Sequence, residues 1–238
     1  MRHSQWLLAV SFICGVLPAP VAGQFGILGF RHGNATNIVV IGDSLSAGFQ
    51  NYSLYDSTSA PAGTTVPPGG QKFGFAAQIA TQAGADLNLP LISYPGLPPV
   101  LTISPDGTLN RGTVVGSREP QTLATQTKDL SVPGFTVANA LSYSVSAASI
   151  ADPSTAGLED VLALEVLGYP SLSDLSHSCG VVPMADGSVT ISAVGCAVQL
   201  KPSLTIVSIG ANDVLQAILD GLPPTAPATF QAEYQQLV

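Results

Sequence analysis

The sequence has few charged residues. Asp, Glu, Lys and Arg together make up 9% of its 238 residues, and the formal net charge is −8. Binding to nucleic acid depends on clusters of Lys and Arg that neutralise phosphates, and binding to an anionic membrane surface needs the same clusters. The sequence contains no such cluster. We therefore expect no nucleic-acid partner, and we expect a neutral or weakly polar ligand instead.

Long apolar runs are confined to the N-terminus, where Trp6 to Leu17 follows the positive segment Met1-Arg2-His3. As a helix this run spans ~18 Å, which is too short for a stable membrane span across a hydrocarbon core of ~30 Å. The small residues Val21-Ala22-Gly23 offer a cleavage site. We predict a signal peptide at 1–23, a secreted or periplasmic protein, and a mature domain at 24–238.

Cysteine and histidine are also scarce, with three of each. Export leaves Cys179 and Cys196, which can form a disulfide worth ~3 kcal/mol in an oxidising compartment. Two unpaired buried thiols are the alternative. No cysteine or histidine has the spacing of a metal site, and no phosphate-binding glycine loop follows the first predicted strand. We expect neither a metal nor a cofactor.

Three short runs rich in β-branched residues predict buried strands of a parallel sheet, at 37–41, 130–132 and 204–209. Helices are predicted at 75–82, from Asn212 to the Pro223-Pro224 pair, and from about Pro227 onwards. The second of these carries an apolar stripe at helical spacing: Val214, Leu215, Ile218, Leu219 and Leu222.

The segments between these elements are rich in turn residues. Pro105-Asp106-Gly107 and Asp186-Gly187 predict hairpins within 101–115 and 181–194, and the composition of 55–70 predicts a surface loop. The order of elements predicts one α/β domain with an elaboration, at about 144–195, inserted before the last strand.

Two motifs follow predicted strands. Gly42-Asp43-Ser44-Leu45 ends the first strand, so Ser44 is expected at the carboxyl edge of the sheet, where a nucleophile can meet a ligand. A simple turn is the alternative. Gly210-Ala211-Asn212-Asp213 ends the last strand in the same way. The Asn212 amide can donate to an oxyanion beside Ser44, or it can cap the next helix.

These blocks resemble the first signature and the Gly-x-Asn-Asp block of the SGNH/GDSL hydrolases, and 132–137 is similar to the glycine block of that family. The resemblance implies a three-layer, flavodoxin-like α/β fold. It also implies that Ser44 is a nucleophile that forms an acyl-enzyme, and that the oxyanion hole comprises the backbone N–H groups of Ser44 and Gly134 and the Asn212 side chain. We interpret four further motif residues as structural: Gly42, Asp43, Gly210 and Asp213.

In this family an Asp-x-x-His block near the C-terminus supplies the base, and no such block follows the Gly-x-Asn-Asp motif of this sequence. His3 leaves with the signal peptide, and His32 precedes the first strand, so it is expected at the edge opposite Ser44. His177, in the elaboration, is either a solvated loop residue or a base that folds towards Ser44. We expect instead that C-terminal strands and helices of the fold are missing, because only three parallel strands are predicted and no stop signal ends the last helix.

The sequence therefore predicts a secreted serine ester hydrolase of the esterase or lipase type. Its substrate would be a small-molecule, lipid or carbohydrate ester. The alternative is a non-catalytic carbohydrate- or lipid-binding module on the same fold, because a fold alone does not determine function.

Overall fold

The computed structural model describes residues 36–67, 69–123, 125–152, 154, 156–167 and 179–238. The predicted signal peptide and all three histidines, at positions 3, 32 and 177, lie outside these residues. The described strands are β1 Ile38–Gly42, β2 Leu101–Ile103, β3 Leu109–Arg111, β4 Asp129–Ser131, β5 Tyr143–Val145, β6 Val181–Pro183, β7 Val189–Ile191 and β8 Leu204–Ser208. The described α-helices are α1 Phe75–Ala83, α2 Pro120–Leu123, α3 Val137–Leu141, α4 Ala147–Ala151, α5 Leu158–Val166, α6 Ala193–Leu200, α7 Asn212–Asp220 and α8 Pro227–Leu237.

The three predicted buried strands form one parallel sheet in the order β4-β1-β8. Gly42, the last residue of β1, pairs with Ser131 on one side and with Ser208 on the other. Because the strands are parallel and end in register, their carboxyl ends meet at one edge. The prediction of a parallel sheet is confirmed, and β1 and β4 are buried as expected. The expectation that the third strand is buried is wrong, because Leu204 and Thr205 of β8 are exposed and its other residues are half-buried.

Helices cover both faces of this sheet. Alternate residues of a strand point to opposite faces, and Ile38 and Val40 of β1 cluster with Ala76 and Ala80 of α1. On the other face, Val39 and Ile41 belong to the main core, together with buried residues of α3, α5 and α6 such as Val137, Leu162 and Ala193. Helix α1 begins at Phe75, as predicted, and ends before Gly84.

The two predicted hairpins are both present. Strands β2 and β3 pair antiparallel, and β6 and β7 pair antiparallel within a second sheet of order β5-β7-β6. This second sheet lies in the chain between α3 and β8, within the segment predicted as an elaboration. A disulfide joins Cys179, just before β6, to Cys196 in α6, with a Cα–Cα distance of 4.7 Å.

Two further expectations are only partly right: 57–67 is an exposed or half-buried loop as predicted, but its start is buried, and α7 ends earlier than expected. Tyr55 and Asp56 begin the predicted surface loop, but both are buried, and Asp56 forms a 2.8 Å ion pair with Lys72. Helix α7 ends at Asp220, before the Pro223-Pro224 pair, because Gly221 adopts a left-handed conformation and its N–H bonds to the Ala217 carbonyl. The composition of 55–70 did not indicate the ion pair that holds its first residues in the core.

The carboxyl group of Asp129 is buried in the central sheet without an ion-pair partner among the described residues. Its Oδ1 accepts a hydrogen bond from the Ser131 N–H at 3.2 Å. Burial raises the pKa of Asp129 from 3.8 to about 7. The folded protein therefore keeps this group protonated at pH values where the unfolded chain ionises it.

We expect Asp129 to make the protein less stable as the pH rises from about 4 to about 7, with a loss of up to about 4 kcal/mol. This contribution is fully present below the unfolded pKa and is lost by the folded pKa. Urea unfolding of wild type and Asp129→Asn across this range measures it, because the variant has no proton to lose and should show the shallower pH dependence.

Asp106→Asn is the matched control for that measurement. Asp106 is exposed, and hydrogen bonds from Thr108 lower its pKa, so from about pH 5 to about pH 7 it is ionised in both the folded and the unfolded state. The control should keep the wild-type slope. Equal slopes for wild type and Asp129→Asn would contradict a buried, protonated Asp129.

Candidate active site

The Ser44 turn is held at the carboxyl edge of the sheet by backbone hydrogen bonds. The Asp43 N–H donates to the Ser208 carbonyl of β8 at 3.2 Å, and the Phe49 N–H donates to the Ser44 carbonyl at 3.0 Å. Gly42 has no room for a side chain, because a Cβ there would collide with Ser46 Oγ and stand 2.8 Å from the Ser208 carbonyl oxygen. The packing of the three strand ends therefore requires glycine before the Ser44 turn.

Asp43 is part of the framework of this turn. Its side chain is buried, and Oδ1 accepts a hydrogen bond from the Leu45 N–H at 3.0 Å. Burial raises the pKa of Asp43, while hydrogen bonds from the backbone N–H groups of Leu45 and Ala211 act to lower it. Because Ala211 belongs to the second motif, this carboxylate connects the two motifs directly.

Asn212 is the first residue of α7, and its side chain does not cap that helix. The N-cap position is Ala211, without a side-chain capping bond. The buried Asn212 Nδ2 instead donates to the Phe135 carbonyl oxygen at 2.9 Å. An amide nitrogen carries two hydrogens, so this bond fixes the side chain and leaves a second N–H for another acceptor.

The glycine block is fastened to the second motif by Asp213. Its Oδ2 accepts from the Val137 N–H at 3.1 Å, and its Oδ1 accepts from Thr225 Oγ at 3.1 Å. Gly134 has a φ of +92°, which disfavours any residue with a side chain. Space is not the constraint at Gly134, since a Cβ there would meet only Glu159 atoms, at 3.8 Å.

A cavity of about 320 Å³ brings Ser44, Gly134 and Asn212 together. Three residues predicted from separate parts of the sequence thus line one space. The other described residues that line it are Phe49, Tyr52, Pro133, Leu158, Glu159, Leu162, Leu215 and Leu219. We call this space the Ser44 cleft. Its walls are mostly apolar, with Glu159 as the charged side chain among the described lining residues.

Tyr52 is a cleft residue that the sequence did not reveal. Gln50 and Ser53 exchange two backbone hydrogen bonds of 2.9 Å around Asn51 and Tyr52, whose φ values are +49° and +60°. This is the geometry of a two-residue hairpin turn in which glycine is usual at the second position. The backbone of Tyr52 is strained, because it adopts a conformation that favours glycine, and backbone strain of this kind is concentrated at functional sites.

The wall contributed by α5 and α7 was also missed. Leu158, Glu159 and Leu162 come from α5, and Leu215 and Leu219 come from α7. The apolar stripe of α7 was predicted, and the sequence left open what it faces: Leu215 is 48% exposed and Leu219 is 75% exposed. Periodicity identifies an apolar face without showing whether that face meets the core or a cleft.

Within the described residues, no cluster of His, Cys, Asp and Glu has the geometry to hold a metal ion. Nor does any helix in this part of the chain combine the length and apolar character that a membrane crossing requires. The described side chains that line the cleft include the Ser44 hydroxyl and the Asn212 amide.

The parallel sheet carries Ser44 at its carboxyl edge, and the Asn212 amide lines the same cleft. A family model described as GDSL-like Lipase/Acylhydrolase matches residues 38–238, and the chain belongs to this family. Membership implies the SGNH type of α/β fold and confirms the resemblance seen in the sequence. The search of curated proteins and the search of solved structures each found no match.

Proposed function

We propose that this protein is a secreted serine ester hydrolase that acts through an acyl-enzyme on Ser44. Hydrolysis of acyl compounds follows from membership of the family. The observation that supports the finer proposal is that Ser44, Gly134 and Asn212 line one cleft at the carboxyl edge of the sheet.

The reaction begins when Ser44 Oγ attacks the carbonyl carbon of the ester and a base takes the hydroxyl proton. The carbonyl oxygen becomes an oxyanion, which accepts hydrogen bonds from the Ser44 N–H, the Gly134 N–H and the second N–H of Asn212 Nδ2. The C–O bond to the alcohol then breaks, and the alcohol leaves with the proton. Water then attacks the carbonyl carbon of the acyl-enzyme while the base takes a proton from the water. The bond to Ser44 Oγ breaks, Ser44 regains its proton from the base, and the free acid is released.

The base is a histidine in this proposal, because a serine hydroxyl is a weak nucleophile without one. Two sources are available: His177, outside the described residues, or a histidine encoded after Val238 in an Asp-x-x-His block. The second source implies that this chain lacks the C-terminal strands and helices of the fold and has little activity alone. In either case the mature protein begins after the signal peptide and acts in the periplasm or outside the cell.

Covalent capture of the nucleophile tests this proposal. Residues 24–238, and any longer protein that the same gene encodes, are treated with an alkyl fluorophosphonate and digested for mass spectrometry. We expect a phosphonyl adduct on Ser44 in whichever of these two proteins contains the catalytic base. Adduct on residues 24–238 that disappears in His177→Ala would identify His177 as the base.

If the protein is instead a non-catalytic binding module, no adduct on Ser44 is expected. A well-folded protein that retains the Ser44 cleft but lacks the base would bind ester analogues and form no adduct in either length. Adduct on other serines at the same rate as on Ser44 would also contradict the proposal, since a special reactivity of Ser44 is its central claim.

A further inference from the structure

Glu159 is unusual among the residues that line the Ser44 cleft. It is the charged residue among the described lining residues, and the others are apolar or uncharged. It stands next to the expected oxyanion site, because its Cγ and Oε1 lie 3.8 Å from the position of a Cβ on Gly134. A negative charge at this place acts on any substrate that reaches Ser44.

Hydrogen bonding within the fold accounts for Asp160 but does not account for Glu159. Asp160, the next residue of α5, accepts hydrogen bonds from Tyr143 Oη at 2.7 Å and from Ser149 Oγ at 2.6 Å. Glu159 makes no hydrogen bond or ion pair with a described residue. Its position in the first turn of α5 favours a carboxylate, but Asp160 already meets that preference.

No described Lys or Arg forms an ion pair with Glu159. Lys72 pairs with Asp56, and Arg118 is buried against the Glu165 carbonyl. Arg111 lies over the Tyr52 ring, 4.6 Å from the ring centroid, so it contacts a cleft residue without lining the cleft itself. With a formal net charge of −8, the chain as a whole adds to the negative potential at the site.

We infer that Glu159 makes the Ser44 cleft reject esters that carry a negative charge, so that its substrates are neutral acyl or aryl esters. This inference rests on the proposed function and adds a specificity-determining residue to it. Two like charges about 7 Å apart at a partly solvated site repel each other enough to change affinity about fivefold. Because Glu159 is exposed, salt should weaken the effect strongly.

The test compares the kcat/KM values of substrates that differ in charge. The neutral substrate is 4-nitrophenyl pentanoate. The two anionic substrates are 4-nitrophenyl hemisuccinate, charged on the acyl side, and 3-carboxy-4-nitrophenyl pentanoate, charged on the leaving group. We expect wild type to disfavour at least one anionic ester, Glu159→Gln to reduce that discrimination about fivefold, and Glu159→Lys to reverse it.

Two controls separate charge from structure. Asp186→Asn removes one negative charge from the β6–β7 turn, outside the cleft, and keeps the acceptor for Ser188, so it should leave the ratio unchanged. Raising the ionic strength from about 0.01 M to about 1 M shortens the screening length from ~30 Å to ~3 Å. Discrimination by wild type should fall with salt, and that of Glu159→Gln should fall less, because only the net charge of the chain then acts on the substrate.

Binding without chemistry separates this inference from the proposed function. Titration calorimetry with pentanamide and with succinamate reports the charge preference of the cleft even if no ester is hydrolysed. Tighter binding of pentanamide to wild type, with the difference lost in Glu159→Gln, supports the inference independently. Equal ratios in wild type and Glu159→Gln overturn it while leaving the hydrolase intact. Binding of neither amide overturns it as well, because the cleft would then not be a ligand site.

Discussion

Replacing Ser44 with alanine is expected to lower kcat for ester hydrolysis by about 10⁴- to 10⁶-fold, equivalent to about 5–8 kcal/mol of activation free energy. The reason is that Ser44 Oγ forms the covalent bond in the proposed mechanism. The side chain is half-buried at the cleft, and the turn is held by backbone bonds that alanine preserves. The free energy of unfolding should therefore change little. The assay uses short-chain 4-nitrophenyl esters and the active length of the protein without its signal peptide.

Ser46→Ala is the matched control for Ser44→Ala. Ser46 lies in the same turn, but it is buried, points away from the cleft lining and donates to the Asp43 carbonyl at 3.2 Å. Losing this bond costs about 1 kcal/mol of stability and should leave kcat within a few-fold of wild type. If Ser44→Ala kept more than a tenth of the wild-type rate, Ser44 would not be the nucleophile.

Replacing Asn212 with alanine is expected to lower kcat by about 10²- to 10³-fold, because one donor to the oxyanion is lost. The same change leaves the buried Phe135 carbonyl without its partner, which costs about 1–3 kcal/mol of stability. A group that acts only in the transition state lowers kcat and kcat/KM equally and leaves KM unchanged. Steady-state kinetics below the unfolding temperature of the variant separate the two effects.

Asn212→Asp makes the test of Asn212 sharper. The carboxylate has nearly the same shape but has no N–H to offer to either the oxyanion or Phe135. We expect it to be at least as damaging as alanine near neutral pH. A variant at position 212 that raised KM and left kcat intact would show that Asn212 positions the substrate and does not donate to the oxyanion.

Much of the sheet and its edge were accessible from the sequence. The run at β1 is apolar because helices cover both faces of the sheet there, and β1 and β8 each end near a glycine and a polar pair at the edge. The local sequence pattern therefore predicted both the strands and the placement of Ser44, Gly134 and Asn212 after strand ends. The direction of the Asn212 side chain was open, and only its bond to Phe135 excludes the helix cap.

The walls of the cleft depend on contacts between residues that are distant in sequence, and no local pattern encodes them. Leu158 and Leu219 both line the cleft although neither stands near a motif. Strands β5 to β7 have three residues each, too short to show a period. Tyr52 occupies a backbone conformation that its residue type disfavours, so propensity argues against the turn that the structure contains.

The residues of the site differ in how well they should tolerate substitution. Hydrogen bonds connect Asp43, Asn212 and Asp213 to the neighbouring strand ends, whereas the wall residues of α7 make no such bonds. Substituting Asp43, Asn212 or Asp213 breaks hydrogen bonds between loops of the site and therefore costs stability. Leu215 and Leu219, in contrast, are half-exposed or more, so replacing them costs little folding free energy. Substrate preference in this protein can therefore diverge by changes on α7 alone. Directed evolution that varies only these wall positions should yield many folded, active variants with altered acyl selectivity.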